Sequence, residues 1–364
     1  MDTTDPEITF DDEGICNHCR KYESHFSKLA ITDAADDGKL KELVKSIQIA
    51  GKGKKYDCIV GLSGGVDSTY VAYLAGKHGL NPLVVHLDNG WNSGLAVRNI
   101  RNAVNKLGFD LHTYVIDWEE FKDLQLAYLK ASVIDIEALT DHAIVATLHK
   151  LAIEHKIKYI LSGSNIVTEA ILPSAWFHTK MDAENIKDIH RKYGKLPMKT
   201  FPLMDMWMKQ FCNFVHKIDI VPFLDYGPYI KKEAQKIITE EFGWKDYGGK
   251  HYESVFTRFF QGYILPVKFK VDKRIAHLST LICSDQLEKS AALKELEEPM
   301  YDPELLKIDM EFVLKKFDLS ESEFQAIMDL PIRRHQDFAM EGSIYKHYPI
   351  FKPFRSVINL VKGQ

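Results

Sequence analysis

A six-residue turn constrains this chain more than any other feature. The apolar run of residues 56–62 ends in SGGVDS, residues 63–68, and passes straight into a segment whose apolar residues Val66, Tyr70, Val71, Leu74 and Ala75 recur at helical spacing until Gly79. A strand that turns on two glycines into a helix aims several main-chain N–H groups, and the positive end of the helix dipole, at one point. That point suits a phosphate. Gly64 and Gly65 let the backbone approach an anion with no Cβ in the way. Ser63 and Ser68 add hydroxyl donors, and Val66 and Asp67 complete the cradle. A carboxylate beside a polyphosphate is repulsive unless a cation lies between them, so Asp67 points to Mg²⁺ shared with phosphate oxygens. The alternative is an Asp that merely complements the helix dipole. The turn is neither G-x-x-x-x-G-K-[ST] nor G-x-G-x-x-G.

Apolar runs at 82–87, 111–116 and 158–161 alternate with helical segments, which predicts a doubly wound, mainly parallel α/β sheet with a helical C-terminal region. The expected division is 1–54 as a cysteine knuckle and helical segment, 55–298 as the main domain with an insertion near 172–247, and 299–364 as a helical appendage. Ligands of such sheets gather at the carboxyl ends of the strands. That rim receives Asp88, Trp91 and Asn92 from LDNGWNS, with Asp88 either touching a nucleotide or capping the next helix. In TDHAI, Thr140 or Asp141 reads as an N-cap; Asp141 is either a second Mg²⁺ ligand or an ordinary cap, and His142 a substrate contact or a surface histidine. The small residues of SGSN, including Gly163 and Asn165, suit a flat adenosine, with Glu169 just beyond.

Further along, a helix starting near His251 would align His251, Ser254, Arg258 and Gln261 as one polar stripe. Lys268, Lys270, Lys273 and Arg274 then reach phosphates or form a solvated loop. At the other end, Cys16 and Cys19 make half of a tetrahedral zinc site, which His18, His25 or Cys283 could extend; two unpaired thiols is the equal alternative.

A net charge of −4 leaves no basic surplus for nucleic acid, and no apolar run has the length of a membrane span. An acidic, polar beginning and five unevenly placed cysteines fit a cytoplasmic protein.

SGGVDS resembles the signature of the PP-loop ATP pyrophosphatases, whose fold is adenine nucleotide alpha-hydrolase-like. Taken with DTTDPEITFDDEGICNHC, LDNGWNS, DWEEFKDLQLA, TDHAI, LSGSN and YGGKHYESVFTRFFQGYILP, the chain is similar over nearly its whole length to the N-acetyl sugar amidotransferases, a PP-loop branch of O-antigen and lipopolysaccharide-type biosynthesis. The resemblance implies that ATP adenylates the acetamido group of a nucleotide-linked sugar acid, and that ammonia then displaces AMP to leave an acetamidino group. It implies catalytic roles for Asp67, Asp141, His251, Arg258 and Lys273. ATP would meet residues 63–68, Asp88, Gly163, Asn165, Lys273 and Arg274, and the sugar Trp91, Asn92, His142, Glu169, Lys250 and Glu253. Mg²⁺ would sit on Asp67 and Asp141.

Separate glutaminase and cyclase-like subunits would supply ammonia, in keeping with the absence of an N-terminal cysteine and of G-x-C-x-G. Two features depart from the family. The sequence begins after the C-x-x-C usual upstream of the MDTTDP-like stretch, without which the four-cysteine zinc site would be incomplete, and SDQLEKSAAL at 284–293 differs enough that Asp285 and Lys289 receive no role. A PP-loop tRNA sulfurtransferase or other PP-loop ligase is the alternative enzyme, though no catalytic cysteine pair is evident. A non-catalytic nucleotide-binding module is the other alternative, and it leaves the rim of Asp67, Asp88, Asp141 and Lys273 unexplained.

Overall fold

Alternation along the strands decides the architecture, because successive side chains leave a strand on opposite faces. The computed structural model describes residues 1–26, 38–248 and 252–341, so Lys250 and His251 lie outside the described residues. Within it, β1 (Ile59–Gly61), β2 (Leu83–Asp88), β3 (Asp110–Val115), β4 (Tyr159–Ser162) and β5 (Asp219–Pro222) form one parallel sheet in the order β3-β2-β1-β4-β5. Ile59, Leu83, Val85 and Ile160 pack with Ala146, Leu148 and Leu151 of the helix Ala138–Glu154. Val60, Val84 and Leu161 pack the other way, against the helices Gly38–Gly51, Val66–Lys77 and Gly94–Leu107. Apolar residues on both faces of a strand require both faces covered, which a doubly wound sheet provides.

The chain order runs outward from β1 through β2 to β3, then returns to place β4 on the other flank of β1. The gap between β1 and β4 is therefore the topological switch point, where open α/β sheets leave a crevice at the strand ends.

Four strands and the intervening helices fall where the apolar runs predict them. β5 does not, since it lies in the stretch expected as an insertion. It is an edge strand in which only Val221 is buried and Pro222 ends the pairing, so no apolar run announces it. Two helix starts also differ. The helix Ala138–Glu154 begins ahead of Thr140 and Asp141, so neither is its cap. Ser254, rather than a residue near His251, caps the helix Val255–Phe259, accepting from the Thr257 N–H at 3.3 Å. That helix widens into the π-type segment Phe260–Phe269 around Pro266, so that of the expected stripe Ser254 is the cap, Arg258 lies in the α-helix and Gln261 lies in the wider segment.

The C-terminal helices Pro303–Phe317 and Glu321–Met328 share one core with the rest. Val313, Leu314, Phe317 and Phe324 pack with Trp91, Phe121, Leu124 and Phe256, across the division expected after residue 298. Ser320 and Glu323 form a capping box at the start of the second helix. The motif DWEEFKDLQLA serves this core: buried Glu120 accepts the N–H groups of Lys199, Thr200 and Phe201, and buried Asp123 those of Lys195 and Leu196, pinning the loop between. Among the described residues no helix is long and apolar enough to cross a membrane.

Gly262 lies where the wide helical segment passes Tyr301, and a Cβ there would fall 2.3 Å from the ring. Overpacking of this kind costs about 1–3 kcal/mol. Gly262→Ala should lower the urea midpoint accordingly; an unchanged midpoint would show that the Tyr301 ring swings aside freely.

Candidate functional site

The phosphate turn is closed by its own serines. The Ser63 and Ser68 hydroxyls lie 3.1 Å apart, Ser63 Oγ accepts the Gly65 N–H at 3.2 Å, and Ser68 Oγ accepts the Ser63 N–H at 3.3 Å. Gly64 has φ +88°, in the left-handed region, and a Cβ on it would lie 3.0 Å from the Ala96 carbonyl oxygen and 3.2 Å from Ile100. Glycine is required there twice over. The Gly64 carbonyl is drawn back by the Trp244 indole N–H at 2.8 Å and by the Tyr247 hydroxyl. Gly65 then opens the helix Val66–Lys77 in an extended conformation with no side-chain cap. The N-terminus of a twelve-residue helix is thus left without a side chain of its own, as an anion site needs.

Two segments close on this turn. A Cβ at Gly163, in the loop after β4, would lie 3.0 Å from the Ser68 nitrogen and 3.1 Å from the Asp67 carbonyl carbon, so the loops meet across the switch point. Asn165 shapes that wall, accepting from the Thr168 N–H at 2.8 Å and donating to the Gly163 carbonyl at 3.1 Å. The second segment carries Glu253: a Cβ on Gly65 would be 3.3 Å from Glu253 Oε1. Glu253 is held there because its carbonyl accepts the Ser93 N–H at 2.8 Å while the Val255 N–H reaches the Trp91 carbonyl at 2.9 Å.

Asp67 Oδ1 accepts from the hydroxyl of buried Tyr229. Burial first, and the Asp67 charge second, push that phenol well above its ordinary pKa, so it remains a donor. Asp225, following β5, accepts the Ile166 N–H at 3.0 Å; burial, reinforced by the charge of Glu169, pushes its pKa up to about 6.

A second group of charges lies where the helix Ala138–Glu154 begins, tied to the turn after β2 by the Asn89 amide donating to the Thr140 hydroxyl at 3.3 Å. Lys180 Nζ reaches Asp135 at 2.8 Å and Asp141 at 3.1 Å, while Lys273 reaches Glu137 at 3.3 Å and Gln261 donates to Glu137 at 2.8 Å. The Asp141 side chain is 47% exposed and stands among these charged groups. Its neighbouring cation is an ammonium.

Several expected contacts turn out to be structural. Trp91 is 1% exposed, with its indole N–H on Gln125 Oε1 at 2.8 Å, and is a core residue rather than a sugar contact. His142 is fully buried. The Met204 N–H donates to its Nε2 at 2.9 Å, so its proton sits on Nδ1 and goes to the Lys180 carbonyl at 2.8 Å; burial keeps it neutral, and no ring nitrogen remains for substrate. Arg258 is clamped in a fork on Asp309, at 2.6 and 2.9 Å, with Tyr301 on the same carboxylate at 2.5 Å. Arg274 is engaged by Asp272 at 2.9 Å and by the Glu298 carbonyl at 2.9 Å, which turns it from phosphate binding to fastening the chain after residue 294. Asp88 accepts from the Gly90 N–H at 2.9 Å and the Asn92 amide at 3.1 Å, so both residues are occupied in building their own turn on the rim.

Metal expectations fare unevenly. Cys19 Sγ lies 3.4 Å from Cys16 and 3.8 Å from Cys283, three thiols sharing hydrogen bonds, and among the described residues no group of three or more His, Cys, Asp or Glu is arranged to hold a metal ion. Zinc at Cys16 and Cys19 is therefore not supported. Mg²⁺ needs less of the protein, since it takes one or two carboxylates with the remainder from phosphate and water. Asp67 on the phosphate turn fits that demand, while Asp141 already has Lys180.

Tyr229, Lys180, Trp244 and Tyr247 were not singled out by the sequence as site residues. Only Trp244 and Tyr247 carried a signal, as aromatics beside a run of glycines.

Residues 253–352 match the family described as LPS biosynthesis protein WbpG-like, C-terminal domain, and residues 56–165 match asparagine synthase. The C-terminal helices thus fall within the one match and the phosphate turn and strands β1 to β4 within the other, in agreement with the recognition drawn from its motifs. No curated protein matches it. Similar solved structures include an NH3-dependent NAD synthetase from Campylobacter jejuni (14% identity, TM-score 0.34, covering 81% of this chain and 97% of that one). An NMN synthetase from Francisella tularensis is similar at 16% identity and TM-score 0.29, covering 63% and 93%. A glutamine-dependent NAD+ synthetase from Acinetobacter baumannii is similar at 15% identity and TM-score 0.30, covering 81% and 46%.

Arg258→Ala would strand the Asp309 carboxylate, 5% exposed, without its cation. The expected loss is about 3 kcal/mol in denaturant unfolding; lost turnover with an unchanged midpoint would instead restore a catalytic role. Asp225 generates a pH effect. Its folded pKa of about 6 lies above the unfolded value of 3.8, so the protein should lose stability as pH rises between them. Asn at 225 keeps an acceptor for the Ile166 N–H but never ionises. Asp225→Asn should gain about 1–2 kcal/mol over wild type at about pH 7.5 and little at about pH 4; equal gains at both would place the effect elsewhere.

Proposed function

We propose that this chain is an ATP-dependent amidotransferase of O-antigen and lipopolysaccharide-type biosynthesis, converting the acetamido group of a nucleotide-linked sugar acid to an acetamidino group with ammonia. One observation carries the reading: the uncapped helix behind SGGVDS opens at the switch point, with Gly163 on one side and Glu253, from the WbpG-like segment, on the other. A phosphate cradle and a second substrate's domain thus share a border.

The amide oxygen of the sugar attacks the α-phosphorus of ATP, and the bond from that phosphorus to the bridging oxygen breaks. Pyrophosphate leaves into the turn, where main-chain amides of residues 64–66 and the serine hydroxyls receive its charge. Ammonia then adds to the activated carbon, AMP departs with the former amide oxygen, and an amidine remains. Mg²⁺, when bound at Asp67, neutralises charge on the leaving diphosphate. Tyr229 orients Asp67 for that duty. Asp141, its side chain 47% exposed and beside Lys180, accepts the proton released as the ammonia nitrogen adds. Lys180 and Lys273 hold the acidic cluster together and limit the repulsion that Asp135, Glu137 and Asp141 present to an incoming nucleotide. Ammonia arrives from glutaminase and cyclase-like partner subunits in the cytoplasm.

Incubation with ATP, ammonium and a diacetamido nucleotide sugar should yield AMP, pyrophosphate and a product in which NH replaces one oxygen, as read by mass spectrometry. Release of ADP would overturn the reading. Asp67→Asn should lower turnover by about 10²–10³-fold while the melting temperature stays put; a fully active variant would reduce Asp67 to a dipole partner.

A further inference from the structure

A cleft of about 430 Å³ lies between the start of the helix Trp118–Ala131 and the end of the helix Pro303–Phe317, lined by Trp118, Lys122, Phe312, Lys315 and Lys316. Its volume is within the range of small-molecule sites. It begins at the sheet's rim: Lys316 donates to the carbonyl of Gly90, in the turn after β2, at 2.5 Å, and a Cβ on Gly90 would lie 2.9 Å from the Trp118 ring and 3.1 Å from Lys316 Nζ. That same turn is bridged through Asn92 and Ser254 to the segment placing Glu253 beside the phosphate turn.

Lys316 is the anomaly. Its ammonium sits 3.7 Å from the Trp118 ring centroid and 4.7 Å from that of Trp91, in surroundings dry enough that burial lowers its pKa. A half-buried cation ordinarily takes a carboxylate partner, yet among the described residues none lies within ion-pair distance of Lys316. Cation–π contacts and one carbonyl hold it in place, while the Asp88 carboxylate opposes the effect of burial only from a distance, without forming an ion pair. Lys315 is exposed beside it, also without a carboxylate partner among the described residues. By contrast Lys122 is matched by Glu119 at 2.7 Å and Asp318 at 3.1 Å. The cleft therefore joins unmatched positive charge to an exposed aromatic ring, Phe312 at 43%, with two carboxylates at its edge.

We propose that this cleft binds the nucleoside diphosphate part of the acceptor substrate, its base against Phe312 and Trp118, its diphosphate on Lys315 and Lys316, and its ribose hydroxyls toward Glu119 and Asp318. A flat π-system, two anionic groups and neighbouring hydroxyls complement these three kinds of contact together, which a free phosphate or an apolar ligand does not. The proposal rests on the nucleotide-sugar reading above. It gives the C-terminal domain the part of recognising the carrier, while the phosphate turn holds ATP.

The probes are uridine diphosphate and guanosine diphosphate, each titrated calorimetrically into the full chain. At least one should bind and should not be displaced by a non-hydrolysable ATP analogue that fills the phosphate turn. Lys316→Gln and Phe312→Ala should each weaken it about tenfold and exposed Lys315→Gln about threefold, with Lys307→Gln, on the same helix away from the cleft, as an unaffected control. Melting curves identify any variant that fails to fold, and Lys315→Gln stands as the surface test if one does. Binding of neither probe, affinity unchanged in Lys315→Gln and Lys316→Gln, or displacement by the ATP analogue would each overturn the proposal. Sugar turnover with a KM indifferent to all three cleft variants would sink the cleft and leave the amidotransferase standing. Diphosphate binding with the predicted variant pattern, but no amidine product, would do the reverse.

Discussion

The rim depends on how Gly64 is held. Its positive φ turns the chain from β1 into the helix Val66–Lys77 within a few residues. That geometry would cost a β-substituted residue both backbone strain and a clash with Ala96 and Ile100. Trp244 and Tyr247 then fix the peptide by taking its carbonyl, and Asn99 steadies Tyr247 at 2.9 Å. The turn is therefore braced from a segment some 180 residues away in sequence. A braced turn keeps its amides pointing at one place whether or not an anion is there, which is the preorganisation that makes main-chain donors effective at a developing charge.

What could be read from the residues, and what could not, follows from the range of the interactions involved. The turn, four strands and most helices were legible because each rests on local pattern: apolar runs, helical spacing, a glycine pair. The partners of charged residues were not, because they depend on which distant segments meet. Arg258 reads as a free guanidinium on a polar stripe until Asp309 arrives from a C-terminal helix, and His142 reads as a rim histidine until Met204 and Lys180 occupy both nitrogens. Lys180 carried no local signal at all, yet it is the cation that Asp141 faces. β5 escaped notice for a related reason: an edge strand with one inward side chain needs no alternating pattern.

These pairings alter the electrostatic account of the rim. Asp67, Glu169, Asp225 and Glu253 all lie in segments bordering the phosphate turn, so bare ATP would meet repulsion from most sides. Asp225 feels the same repulsion: burial first, and the charge of Glu169 with it, raise its pKa. The two lysines closest to the helix opening at Ala138 are already matched to Asp135, Asp141 and Glu137. Charge neutralisation at the phosphate turn must then come mainly from backbone dipoles and from whatever cation accompanies the nucleotide, which assigns Asp67 more weight than any arginine or lysine the sequence brought to attention.

The C-terminal region completes the site by geometry more than by charge. Its helices bury Trp91 between Phe256 and Phe317, and through Trp91 and Asn92 they set the position of the strand-like segment carrying Glu253. Arg258 and Asp309 lock the same helices to each other. A shift of the helix Pro303–Phe317 would therefore be felt at Gly90 through Lys316 and at Gly65 through Glu253. The helix thus meets the turn after β2 directly, through Lys316 and Phe317, and is connected to the border of the phosphate turn through Trp91 and Asn92. An enzyme that must not cleave ATP before its acceptor is in place has use for that linkage, since it allows the second substrate to complete the site that activates the first.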